Sequence, residues 1–368
     1  MTPAQWIETL VSLAVQASVV IAAAFAVDRR SSGPRAAGRA WTACFAGLFV
    51  LTAAALTLPR FRPFVPWDGV PVEVRWAAAE TELAVGGALA GLWLAGVGAA
   101  LLSWSVRAVR IHCLIGRSRP LEHESLAPFL KAAGLPRDGS STPTVLVSDE
   151  IDGPFCRQFH RQVIVLPIFL LDAAPTELAP VLRHECEHLR QQHPLQLFLQ
   201  HGVRALFWFH PAAWRAGERA SLAREYVCDD AAVPNPAETA VYLRALLNIA
   251  ERAERRTPIG TLTFGGGAEA IVSRVRRLTA KAGGAAASGR RRLGQSAATA
   301  TVAAACLIAS QICVPLDALA SSRASYSPWP TWTARTLHAF DVPVRDSEPF
   351  DAHLPLHEVR EKLQGGNR

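Results

Sequence analysis

Two histidines four residues apart, His184 and His188, enclose a glutamate in His184-Glu185-Cys186-Glu187-His188. On an α-helix that spacing puts both imidazoles on one face, where they can meet a single metal ion. Zinc suits such donors, and in a catalytic site it takes three protein ligands and leaves a fourth position for water. Glu185, beside the first histidine, faces that water in motifs of this kind, which makes it the candidate general base. The competing reading is a polar helix whose histidines face solvent, and a third ligand is needed to rise above it. Glu225, in Arg224-Glu225-Tyr226-Val227-Cys228-Asp229-Asp230, is the best candidate. Asp229 follows one turn later on the same face, where it can accept a hydrogen bond from a ligating imidazole and fix its tautomer.

These residues need helices to carry them. The pattern from Thr176 onward is helical, with Thr176 and Glu177 suited to its N-terminal turn. Further helices are expected over 194–207, 212–232 and 238–255, punctuated by Pro194, Pro211, Pro234 and Pro236. The segment 195–209 is strongly apolar but interrupted by Gln200, His201 and Arg204, which suits a buried or membrane-surface helix better than a span. Upstream, a helix over 125–133 is stopped by Gly134 and Pro136. Strands over 143–148 and 162–167 predict a small sheet or hairpin. The strand Val163 to Leu166 reads equally well as an edge that pairs with an extended substrate and as an ordinary core strand. Gly283 to Gly289, rich in Gly, Ala and Ser, is expected to be a link.

Half of the 368 residues are hydrophobic, and they are clustered. Four stretches, 6–27, 41–58, 83–104 and 297–315, approach the roughly 20 apolar residues that cross a bilayer core. The last three carry no charge, and the first carries only Glu8. Arg29, Arg30, Arg35 and Arg39 follow the first stretch, and no Lys or Arg precedes it, which suits a retained helix better than a cleaved signal. With Arg107, Arg110, Arg117 and Arg119 after the third stretch and Arg290 to Arg292 before the fourth, the positive-inside bias puts residues 107–296 in the cytoplasm. The N-terminus and the tail 316–368 then lie outside a bacterial-type inner membrane. The loop 59–82 is a short external connection.

The net charge of +7 sits largely beside the spans and points to anionic lipid headgroups. Without a basic-aromatic stripe or a DNA-binding motif, nucleic acid is not an expected partner. The 7 cysteines form no CxxC pair, and free thiols are expected.

Four spans, an HExxH domain inserted before the last of them and Glu225-x-x-x-Asp229 downstream resemble the beta-lactam sensor/signal-transducer family of membrane metallopeptidases. The prenyl-protein-processing and heat-shock membrane peptidases are similar at greater distance. Gly153-Pro154-Phe155 before the second strand and Trp208-Phe209-His210-Pro211 between the motif helices add to the likeness, which covers residues 1–315. It implies an α-helical membrane protein with four transmembrane helices and an inserted α+β, gluzincin-like cytoplasmic zinc peptidase domain. It also implies zinc on His184, His188 and Glu225, with Glu185 in catalysis.

Two features depart from the family. It commonly has an aspartate where His193 stands. The tail 316–368 is also too short for the large penicillin-binding domain of beta-lactam sensors, so direct beta-lactam sensing is not expected. His193, His210, Arg224 and Tyr226 are the candidate oxyanion donors, each with a structural role as the competing reading. The function expected is regulatory cleavage of a cytoplasmic protein, such as a transcriptional repressor, in response to a signal. The alternatives are a non-proteolytic membrane transducer or scaffold and a quality-control protease.

Overall fold

The computed structural model describes residues 3–58, 67, 69–135, 143–158, 161–256, 268–283 and 293–316, with a few isolated positions beyond. Nearly all of the tail 316–368 and of the link 284–289, and part of the loop 59–82, lie outside the described residues. Three long apolar helices come first: α1 (Pro3–Arg30), α2 (Pro34–Thr57) and α3 (Val72–Arg117). The shortest has 24 residues, about 36 Å at 1.5 Å per residue. All three are long and apolar enough to cross a bilayer core of about 30 Å. They mark the chain as a membrane protein.

The third helix is longer than expected. It starts at Val72, inside the segment read as an external loop, and continues through the expected domain boundary at 106 to Arg117. Ala77, Ala78, Ala79 and the evenly spread apolar residues that follow favour helix well beyond the stretch hydropathy alone picks out. The fourth expected span is helical only over α10 (Gln295–Ser310), and its 16 residues rise about 24 Å, less than the other three.

Between α3 and α10 come β1 (Arg119–Pro120), α4 (His123–Ala133), β2 (Thr144–Ser148), β3 (Phe155–Gln158), β4 (Gln162–Pro167), α5 (Pro175–Arg190), α6 (His193–Leu206), α7 (Pro211–Ala232), α8 (Thr239–Arg256) and α9 (Ala268–Ala282). The sheet has the order β1-β2-β4-β3. The two strands read from sequence, β2 and β4, pair in parallel, so they are not a hairpin; the hairpin is β3 with β4. Because β4 is paired on both sides, the reading of Val163 to Leu166 as a substrate-binding edge is corrected, and β3 holds that edge position.

The chain divides into two compact units, which interleave because long helices contribute to both. In the first, which holds the starts of α1 and α3 and the end of α2, polar groups of α1 meet the segment after α10: Gln16 donates to the Ile312 carbonyl at 2.7 Å, and Ser12 accepts from the Val314 N–H. In the second, Leu126 and Leu130 of α4, Val145, Ile164 and Leu166 of the sheet, and Leu178, Val181, Leu182 and Leu189 of α5 form the main core. Burying one face of α5 in this way leaves its other face to α7 and α8.

The start of α5 departs slightly from expectation. Pro175 takes the first position, which lacks an N–H partner in any helix, and Ala174 caps it, so Thr176 is already inside. After Arg190 the chain turns within two residues. Gln192 adopts the left-handed region at φ 56°, the only non-glycine among the described residues to do so, and α6 begins at once with His193.

Candidate metal centre

Five helices, α5 to α9, bring the chemistry together. His184 and His188 project from one face of α5 toward α7, where Glu225 and Asp229 stand one turn apart. The two Nε2 atoms are 3.1 Å apart. Glu225 lies across both, Oε2 at 3.3 Å from His184 Nε2 and Oε1 at 3.5 Å from His188 Nε2. Atoms bonded at about 2.0–2.1 Å to one tetrahedral zinc lie about 3.3–3.4 Å apart, so these separations fit the edges of such a polyhedron. The Glu225 side chain keeps 30% of its exposure, so the cluster is open toward solvent on that side.

The outer nitrogen of each imidazole is also held. Tyr242 of α8 lies with its hydroxyl 2.8 Å from His184 Nδ1 and 2.7 Å from Asp229 Oδ1. An ionised carboxylate only accepts, so the hydroxyl donates to Asp229 and its oxygen accepts from Nδ1–H. That leaves Nε2 to face Glu225 and His188. Asp229 also lies directly beside Nδ1, at 3.4 Å. His188 Nδ1 meets His193 Nδ1 at 3.0 Å, so one of the two carries the proton. With the hydrogen on His188 Nδ1, its Nε2 lone pair is free for the cluster and neutral His193 is the acceptor.

Arg274 of α9 closes the arrangement. It donates to Asp229 Oδ1 at 2.6 Å and to Oδ2 at 3.0 Å, and lies 2.9 Å from Glu225 Oε2. Burial would raise Glu225, but Arg274 and the two histidines outweigh it and hold the carboxyl well below its usual range. Burial likewise works against ionised Asp229, and hydrogen bonds from His184 and Arg274 overcome it. Burial lowers the basicity of His184, but hydrogen bonds to Asp229 and Glu225 outweigh that and raise it to about 9. His188, without such partners, is lowered to about 4, chiefly by burial.

Glu185 is buried and has no hydrogen-bond partner among the described residues. Burial pushes its carboxyl up to about 7, with the charge of His184 acting in the opposite direction. A second donor set is also present: His184, His188 and Cys228 offer ligand atoms within 4.8 Å of one another. Cys228 is fully buried, its thiol is raised far above its ordinary range by that burial, and its sulfur contacts His193 Nδ1 at 3.5 Å.

Of the oxyanion candidates, Arg224 is buried and engaged with Gln200 Oε1 at 2.5 Å and Ser221 at 3.0 Å, which ties α7 to α6. Tyr226 lies under the Arg277 guanidinium, and His193 serves His188. His210 is buried at the start of α7. Sequence reasoning missed Tyr242 and Arg274. The signal for α9 was there in Ile271, Val275 and Leu278 at helical spacing, but nothing in the sequence ties Arg274 to the motif.

Comparison with protein families supplies the class first: residues 73–278 match a metallopeptidase model. It is that of the BlaR1 peptidase M56, and because the match spans more than half of the chain, the chain belongs to this family, as the sequence resemblance implied. A comparison with curated proteins finds no match.

Proposed function

We propose that the chain is a membrane-embedded zinc endopeptidase in which His184, His188 and Glu225 hold the metal and Glu185 is the general base. The observation that carries this reading is Glu185 itself. It is 6% exposed and its side chain makes no hydrogen bond among the described residues, so its carboxyl is available to a water beside the two histidines, and a purely structural metal site has no use for it. Family membership supports the metallopeptidase class, and the donor separations support zinc.

When bound, zinc polarises the scissile carbonyl and acidifies a water. Glu185 takes up a proton from the attacking water and returns it to the leaving amine, a role suited to a carboxyl raised to about 7. Asp229 and Tyr242 keep the His184 proton on Nδ1, and His193 does the same for His188. β3, last in the strand order and so at the edge, packs against α5, the helix that carries the motif. An extended peptide pairing with that edge would present its backbone to Glu185. Regulatory cleavage of a cytoplasmic protein, such as a repressor, is the biological role in this reading, supported by membership of the family and by the cytoplasmic placement that the arginines lead one to expect.

The test pairs metal analysis of the purified full chain with proteome comparison of cells carrying wild type or Glu185→Gln. The variant should retain zinc at the wild-type ratio while at least one cytoplasmic protein ceases to be cut. Retained zinc with no cleavage dependent on Glu185 would sink the peptidase reading.

A further inference from the structure

The second unit contains a cavity of about 350 Å³ whose lining includes Arg35 and Arg39 of α2, Arg190 and Gln191 at the end of α5, and His193 and Gln196 of α6. Among the described residues three guanidiniums line it and no carboxylate does. The carboxylate within reach is Glu187, which lies 2.6 Å from Arg190 and 3.5 Å from Arg35. Asp230 borders the adjoining hollow, but Arg277 and Lys281 already hold it. One negative charge therefore faces three positive ones. Arg39 has no hydrogen-bond or ion-pair partner among the described residues. The Arg35 and Arg190 side chains are 54% and 66% exposed, and each keeps guanidinium N–H groups that its contact with Glu187 does not use.

The cavity's place in the chain narrows the ligand. Arg35 and Arg39 stand on the first two turns of α2, and α1 ends in Arg29 and Arg30. Both helices are long and apolar enough to cross a membrane. The cavity thus opens where one apolar helix ends and the next begins, and helices of that length place their ends at the level of lipid phosphates when they span a bilayer. The planar guanidinium fork matches phosphate oxygens in pairs, and basic pockets beside membrane helices hold anionic headgroups. Gln191 and Gln196 already donate one amide hydrogen each, to Glu187 and to the Gln191 carbonyl, and the second hydrogen of each is left for the remaining oxygens.

We propose that this cavity is a binding site for a phosphate-bearing anion, with an anionic phospholipid headgroup as the source its position favours. The site shares His193 with the metal centre, but the proposal does not depend on the peptidase reading, and the arginines that test it lie outside that centre.

The experiment uses the full chain in mild detergent, reading the thermal unfolding midpoint and, by native mass spectrometry, the lipid retained. Separate arms add inorganic phosphate, phosphatidylglycerol in mixed micelles, and phosphatidylcholine in the same micelles. Phosphatidylglycerol should be retained in preference to phosphatidylcholine and raise the midpoint. Arg35→Gln, Arg39→Gln and Arg190→Gln should each weaken its binding about fivefold. The pair Arg107→Gln and Arg110→Gln, basic but outside the cavity, should bind as wild type. A response to inorganic phosphate alone also supports the site and identifies free phosphate as sufficient. No response to either anion overturns the proposal, as does a folded triple variant that keeps the preference, or an equal loss in the Arg107 and Arg110 pair. Arg39→Gln breaks no hydrogen bond or ion pair among the described residues, so it reports on binding even if the triple variant fails to fold.

Discussion

The hydroxyl of Tyr242 stands between His184 and Asp229, and removing it leaves the ring's packing in place. Tyr242→Phe is expected to keep the fold and to lower zinc affinity about 10- to 100-fold, as loss of an orienting partner does. Competition with a zinc-binding dye reads this directly. Unchanged affinity would mean that Asp229, 3.4 Å from Nδ1, suffices without it. The two donor sets are separated in the same assay. Glu225→Ala is expected to abolish tight zinc binding while Cys228→Ala leaves it intact; the opposite pattern would transfer the third ligand to the thiol. For the base, Glu185→Gln should lower the turnover of a cleaved protein about 10²–10⁴-fold with zinc retained, measured on purified protein and substrate.

At the scale of elements, α9 contributes a single buried cation. Its Arg274 side chain is 12% exposed and faces Asp229, which is fully buried, so neither charge has water to fall back on. Breaking a buried pair from one side costs about 3–5 kcal/mol, because the remaining charge is stranded. Arg274→Gln should therefore lower the unfolding midpoint sharply. Adding Asp229→Asn should restore part of the loss, since the two share one interaction. Strict additivity of the two would show that they act separately.

This element also marks where the sequence stopped being legible. The α5 motif could be read because two histidines four apart encode their own geometry, and α7 because Glu225 and Asp229 repeat that spacing. Tyr242 and Arg274 could not, because each enters the site through tertiary packing from a helix with no motif of its own. The sheet was half legible. Val145, Ile164 and Leu166 announce buried strands, but nothing local in Thr144 to Pro167 encodes which strand lies at the edge. Pairing order is a non-local property, and Phe155 to Gln158 has no alternation to advertise a strand.

For the whole molecule, the orientation inferred from arginine placement has a direct chemical test. Cys113, near the end of α3, is exposed, whereas Cys44 and Cys228 are buried and the remaining cysteines are partly so. A membrane-impermeant maleimide should label Cys113 in inverted vesicles and not in sealed right-side-out vesicles, with Cys113→Ser as control. Labelling from the outer face would reverse the topology. The corner between α5 and α6 carries a consequence of a different kind. Surface turns ordinarily tolerate length changes, but here Gln192 passes directly into His193, so the helix that follows is indexed to the motif. One added residue would rotate α6 by about 100° and carry His193 off His188. An insertion at this exposed-looking turn would act as an active-site lesion, while the residues of the His184 to His188 motif remained unaltered.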